Sequence, residues 1–181
     1  MGLNLPNLIT IFRIFMVPLI VWLIISGQFL PAFLIFVLAG LSDAVDGFIA
    51  KKFNQATELG AYLDPIADKL LLVSIYVALG FQAILPAWLV ILVVSRDILI
   101  IGACLLSWLM DKPVPVTPLM VSKANTTAQI VLAALMLGGL GFEIELVDLI
   151  RVTSVLVAAL TVLSAAAYLR LWLEHMANGA G

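Results

Sequence analysis

Ser42-Asp43-Ala44-Val45-Asp46-Gly47-Phe48-Ile49-Ala50-Lys51 and, after eight further residues, Gly60-Ala61-Tyr62-Leu63-Asp64-Pro65-Ile66-Ala67-Asp68-Lys69 lie between two long apolar runs. The flanking runs have the length a bilayer-crossing helix needs, about 20 apolar residues. The four aspartates are what such a setting disfavours, because a carboxylate at membrane depth is costly without a compensating charge. Divalent cations are the natural source of that charge, and cations held by carboxylates point to chemistry on phosphates.

Working outward, 64% of the 181 residues are hydrophobic and 11% are charged. The mean hydropathy is +1.22. A soluble domain carries roughly 25% charged residues. The composition therefore predicts an integral membrane protein of one compact domain over residues 1–181. A net charge of −2 gives no basis for a nucleic-acid partner. One cysteine, Cys104, excludes an internal disulfide, and its apolar setting suits an inert buried thiol better than a nucleophile. No basic region precedes the first apolar run, so Met1-Gly2-Leu3-Asn4-Leu5-Pro6-Asn7 is not read as a signal peptide, and a bacterial inner membrane is the expected location.

Six spans are expected, at 8–26, 31–51, 61–81, 86–109, 120–140 and 147–172, giving an all-α polytopic bundle. Pro31, Pro86 and Pro118 fall near span starts, where proline is tolerated, and Gly27, Gly80 and Gly141 fall near ends or turns. Pro6 and the residues after it suggest a short N-terminal interfacial helix. Lys51, Lys52, Lys112, Lys123 and Arg170 gather on one side, while the other carries Glu143, Glu145 and Asp148, with Arg151 beyond. By the excess of Lys and Arg on cytoplasmic loops, both termini and the aspartates face the cytoplasm.

Asp43 and Asp46 are three residues apart and Asp64 and Asp68 four apart, so each pair shares a helix face. The connection between their helices is short enough for the pairs to face each other. Four converging carboxylates make the oxygen cage that hard cations prefer, and two ions of charge +2 would balance them. Gly47 and Gly60 flank the acids. Glycine within a helix is unfavourable by roughly 1 kcal/mol, which points to close backbone approach, either to a phosphate ligand or to another helix. The competing function is a cation- or proton-coupled transporter. A transporter more often spreads its acids along several spans, whereas these four fall within 26 residues beside Lys51, Lys52 and Lys69.

The segment resembles the signature of the CDP-alcohol phosphotransferases, D-x-x-D-G-x-x-A-R-x8-G-x3-D-x3-D. Seven fixed positions match, and Lys51 stands where the family has arginine. Six spans and cytoplasmic termini agree with the family, so the resemblance covers most of the chain. It implies attack of an alcohol hydroxyl on the β-phosphorus of a CDP-linked lipid, with release of CMP. By position, Asp43, Asp46, Asp64 and Asp68 resemble ligands of two metal ions, Mg²⁺ or Mn²⁺, and Asp68 also resembles the general base. Gly47, Lys51 and Thr57 resemble the positions that cradle CDP, with Gly60 allowing close approach. A homodimer is implied as well.

Asn4-Leu5-Pro6-Asn7-Leu8-Ile9-Thr10-Ile11-Phe12-Arg13 and Asn54-Gln55 are similar to the branch of phosphatidylglycerophosphate synthases and CDP-alcohol-type cardiolipin synthases. Ser95-Arg96-Asp97 and Val121-Ser122-Lys123-Ala124-Asn125-Thr126 are closer to the cardiolipin synthases. The resemblance thus favours phosphatidylglycerol as acceptor of the CDP-diacylglycerol phosphatidyl group, with glycerol 3-phosphate as the alternative. Arg96, Lys123 and Arg13 are the candidate acceptor-phosphate residues. Each has a plainer reading: an intramembrane ion pair for Arg96 and Asp97, snorkelling for Lys123 and span anchoring for Arg13. His175 reads as solvated, and Trp22, Trp88, Trp108 and Trp172 as interfacial or lipid-facing bulk.

Overall fold

The computed structural model describes residues 5–52, 58–110 and 119–178. Those residues form six helices and, among them, no strand: α1 (Leu5–Ile25), α2 (Phe29–Lys52), α3 (Glu58–Phe81), α4 (Ala87–Leu109), α5 (Met120–Gly141) and α6 (Val147–Asn178). The chain is all-α, and each expected span has its helix. Among the described residues, Ala87–Ser107, Met120–Gly141 and Val147–Ala177 are long and apolar enough to cross a bilayer. Ile11–Ile25 and Phe29–Ser42 are shorter apolar helical stretches.

Two details differ from the sequence reading. No separate interfacial helix stands before α1 among the described residues, since residues 5–10 are already its first turns. Pro6 is accommodated there because a first-turn residue needs no intrahelical N–H bond. The last helix continues to Asn178 rather than ending near residue 172. No Gly or Pro interrupts it before Gly179, Arg170 Nε pairs with Glu174 Oε1 at 2.7 Å, and Trp172 Nε1 donates to Ser107 Oγ of α4 at 2.9 Å. At about 1.5 Å per residue its 32 residues reach about 48 Å, beyond the roughly 30 Å hydrocarbon core.

The helices gather into two compact units. The first holds the described residues up to Leu85 together with Ala133–Leu146. Within it α1 packs against both α2 and α3. Ile20, Leu23 and Ile24 of α1, Ala32, Phe36 and Ala39 of α2, and Leu72, Ile75, Tyr76 and Leu79 of α3 are buried at helical spacing. On the other face of α1, Phe12, Phe15, Leu19 and Trp22 are exposed at the same period, as suits contact with lipid. Helix ends in this unit are closed by hydrogen bonds. Gly27 adopts φ 72°, while its N–H bonds to Ile24 O and that of Gln28 to Leu23 O. This is the left-handed cap for which glycine has no steric penalty. Gln82, just beyond α3, donates through Nε2 to the terminal carbonyls of Ile24 and Ile25 at 3.0 and 2.8 Å.

Gly141 has a different reason to be glycine. A Cβ there would lie 2.8 Å from Leu30 Cα and 2.9 Å from Leu30 N, so the end of α5 touches the backbone at the start of α2. Phe33 and Phe142 pack edge to face beside this contact, with ring centroids 5.7 Å apart.

The second unit comprises Pro86–Leu132 and the chain from Val147 onward, with α4 packed against α6. The Pro86 carbonyl opens α4 by accepting the N–H groups of Leu89 and Val90.

Candidate active site

The carboxylates are carried by the last turns of α2 and the first turns of α3. Asp43, Asp46, Gly47 and Lys51 lie on α2, and Gly60, Asp64 and Asp68 on α3. The helical course preserves the three- and four-residue spacings, so each pair shares a face of its helix. Thr57 lies outside the described residues, as do the side chains of Asp43, Asp46, Lys51 and Asp64. Among the described residues there is no group of three or more His, Cys, Asp or Glu side chains that could hold a metal ion. The donor chemistry is nonetheless of one kind. All four candidate ligands are carboxylates, and the two segments hold no His or Cys. An all-oxygen set suits Mg²⁺ or Mn²⁺ rather than a thiolate- or imidazole-loving metal.

Asp68 is the aspartate whose side chain is described. Its neighbour Ala67 is fully buried and Leu71 and Leu72 are buried, while the Asp68 side chain keeps 48% of its surface exposed. Arg13 of α1 reaches it: Nη1 donates to Asp68 Oδ1 at 2.7 Å. Arg13 is 1% exposed, although Phe12 and Phe15 on the same helix face outward. A buried guanidinium is tolerated only when a carboxylate or other acceptor compensates it, and a charge-assisted bond of this length is among the stronger ones. The sequence named both residues but did not join them.

The second unit has its own polar interior. Arg96 of α4 is 4% exposed. Its Nη1 donates to Asp97 Oδ1, Nη2 to Ser122 Oγ of α5, and Nη2 and Nε to Ser164 Oγ of α6. The guanidinium carbon also lies 5.8 Å from the centre of the Tyr168 ring. Each Arg96 nitrogen is thus engaged by side chains of its own unit. Nearby in sequence, Thr161 Oγ1 donates to Asn125 Oδ1 at 3.0 Å, and both residues are fully buried. Lys123, by contrast, is exposed near the start of α5. Ser122, Asn125 and Gln129 on α5, and Thr161, Ser164 and Tyr168 on α6, are spaced by three and four residues. That polar stripe within apolar helices was the signal available to the sequence, and Ser164, Tyr168 and Thr161 were missed.

Comparison with known proteins covers both units. A family model described as CDP-alcohol phosphatidyltransferase matches residues 3–172. The chain is 38% identical, over 185 aligned positions, to the chloroplastic CDP-diacylglycerol–glycerol-3-phosphate 3-phosphatidyltransferase 1 of Oryza sativa subsp. japonica, covering 92% of this chain and 56% of that protein. It is 36% identical over 147 positions to the CMP-forming cardiolipin synthase of Homo sapiens, covering 72% of this chain and 49% of that one. It is 34% identical over 157 positions to the CDP-diacylglycerol–glycerol-3-phosphate 3-phosphatidyltransferase of Bacillus subtilis, covering 78% and 80% respectively. The chain spans about half the length of the plant and animal relatives it matches.

Proposed function

The chain belongs to the CDP-alcohol phosphatidyltransferase family, and on that footing we propose that it transfers the phosphatidyl group of CDP-diacylglycerol to phosphatidylglycerol, forming cardiolipin and CMP. The observation that carries the reaction class is the pair of carboxylate pairs, Asp43/Asp46 and Asp64/Asp68, on two helices of a chain the family model matches almost throughout. Phosphatidylglycerol is preferred as acceptor because Ser95-Arg96-Asp97 and the Val121–Thr126 stretch follow the cardiolipin-synthase pattern. The second reading, glycerol 3-phosphate as acceptor, is supported by the names of the rice and Bacillus relatives.

In this reading Asp43, Asp46, Asp64 and Asp68 hold two divalent cations. When bound, such cations neutralise the pyrophosphate and the charge that develops on the departing CMP. Gly47 and Gly60 let backbone approach the CDP moiety, and Lys51 and Thr57 contact its phosphates. Asp68 receives the proton of the acceptor hydroxyl as its oxygen bonds to the β-phosphorus and the bond to CMP breaks. For the acceptor phosphate, Lys123 is the more available cation, because Arg96 is engaged by Asp97, Ser122 and Ser164. We further propose a single catalytic domain, a homodimer, and an active site facing the cytoplasm of a bacterial inner membrane. The Lys and Arg distribution supports that orientation.

The test gives the purified full chain CDP-diacylglycerol with each acceptor separately and identifies the lipid product by mass spectrometry. Cardiolipin and CMP are expected, dependent on Mg²⁺ or Mn²⁺ and lost on chelation. Asp68→Asn is expected to lower CMP release by about 10²–10⁴-fold. Phosphatidylglycerophosphate as the sole product overturns the acceptor assignment. Solute or ion uptake without CMP formation overturns the enzyme in favour of a transporter.

A further inference from the structure

We propose that Arg13 is a positioning residue: from α1 it holds the Asp68 carboxylate in the orientation in which that group receives the acceptor's proton. The inference rests on the phosphatidyl-transfer reading above and gives Arg13 a role other than acceptor binding. Three observations carry it. Arg13 is 1% exposed on a helix whose adjacent Phe12 and Phe15 are 58% and 71% exposed. A long cationic side chain ordinarily snorkels outward, so its inward course shows that an internal acceptor holds it. That acceptor includes Asp68 Oδ1, at 2.7 Å from Nη1. The Asp68 side chain keeps 48% of its surface exposed, so the carboxylate is held from one side and accessible from the other. A carboxylate serving only to neutralise Arg13 would be expected to be buried with it.

The contact is carried by helix packing, since α1 lies against α3. Arginine suits the task because its guanidinium stays charged and donates from a rigid, planar group, which a flexible ammonium does not. Loss of such a constraint acts on rate rather than binding, because the reacting group is misplaced while the substrate contacts survive.

The experiment compares wild type, Arg13→Gln and Arg13→Lys as full-length purified protein. CMP release is measured with CDP-diacylglycerol, Mn²⁺ and varied acceptor. In Arg13→Gln, kcat is expected to fall about 10–100-fold, as for other residues that orient a metal-site ligand. KM for both substrates should stay within about twofold, the signature of an interaction made only in the transition state. Arg13→Lys should recover part of the loss, and it carries the kcat–KM comparison if Arg13→Gln does not fold. A raised acceptor KM with kcat retained overturns the proposal in favour of a phosphate ligand, and unchanged kcat overturns it outright.

Thermal unfolding of Arg13→Gln, Asp68→Asn and the double variant gives a readout that needs no turnover. A double variant less destabilised than the sum of the two singles supports the pair, and additive shifts overturn it. A wild type that releases no CMP overturns the phosphatidyl-transfer reading, and with it the catalytic role of Arg13, while the same cycle still decides whether the pair exists.

Discussion

At Lys51 an ammonium stands where the family pattern has a guanidinium. The charge is kept, but the rigid fork that grips a phosphate through two bonds is lost. Lys51→Ala is therefore expected to lower kcat/KM for CDP-diacylglycerol by about 10–100-fold, the worth of one hydrogen bond to a charged group. Lys51→Arg should match or exceed wild type. Steady-state CMP release decides it, and an alanine variant as active as wild type would show that Lys51 makes no phosphate contact. The acids were legible in the sequence because spacings of three and four residues are local, and a helix converts them directly into a shared face. The bond between Arg13 and Asp68 was not, because 55 residues separate them and only the packing of α1 on α3 joins them.

Glycine at the end of α5 was legible as a helix terminus, but its physical reason was not. A methyl group at Gly141 would meet Leu30 backbone atoms, which cannot rotate aside, so α5 or α2 must shift. Gly141→Ala is expected to destabilise by about 1–3 kcal/mol, as overpacking generally does. Gly40→Ala is the control, because no atom lies within 4 Å of the added carbon. Melting of the two variants in the same detergent tests the contact; equal melting temperatures would mean that the two helix ends do not touch closely. Gly80 and Gly141 do fall at the ends of α3 and α5, but the residue that reverses the chain is not the glycine. The left-handed residues after α3 and α5 are Ala83 and Glu143, each at φ 56°, rather than Gly80 and Gly141. Bonds from Ile84 N to Leu79 O and from Ile144 N to Gly139 O help compensate each cap for the missing glycine.

Over the whole molecule, composition and apolar run length made the six-helix membrane architecture legible, whereas the interiors of the two units were not. The first is lined by Ile20, Leu23, Ile75 and Leu79, and the second also buries Arg96, Asp97, Asn125, Gln129, Thr161 and Ser164. Polar side chains in a membrane interior must find one another, so these specify which helix faces meet. Arg96→Met withdraws its charge from the buried Asp97 and is expected to destabilise by about 3–5 kcal/mol, much of which Asp97→Leu should restore. Thermal denaturation of the single and double variants measures this. Acceptor KM in the folded double variant separates the two readings of Arg96, since an unchanged value excludes it from the acceptor phosphate.

The burial of Arg13 also has a consequence for biogenesis. During synthesis Arg13 leaves the ribosome 55 residues before Asp68. At about 5–20 residues per second it waits roughly 3–11 s for that carboxylate. An arginine within an inserting helix is unfavourable, by up to about 2.5–3.5 kcal/mol at the helix centre and less toward its end, so α1 is expected to linger at the translocon and partition into lipid together with α3. Nascent chains carrying a glycosylation reporter and truncated before and after α3 would show this as a step in α1 integration. Equal integration at both lengths would mean that α1 inserts on its own.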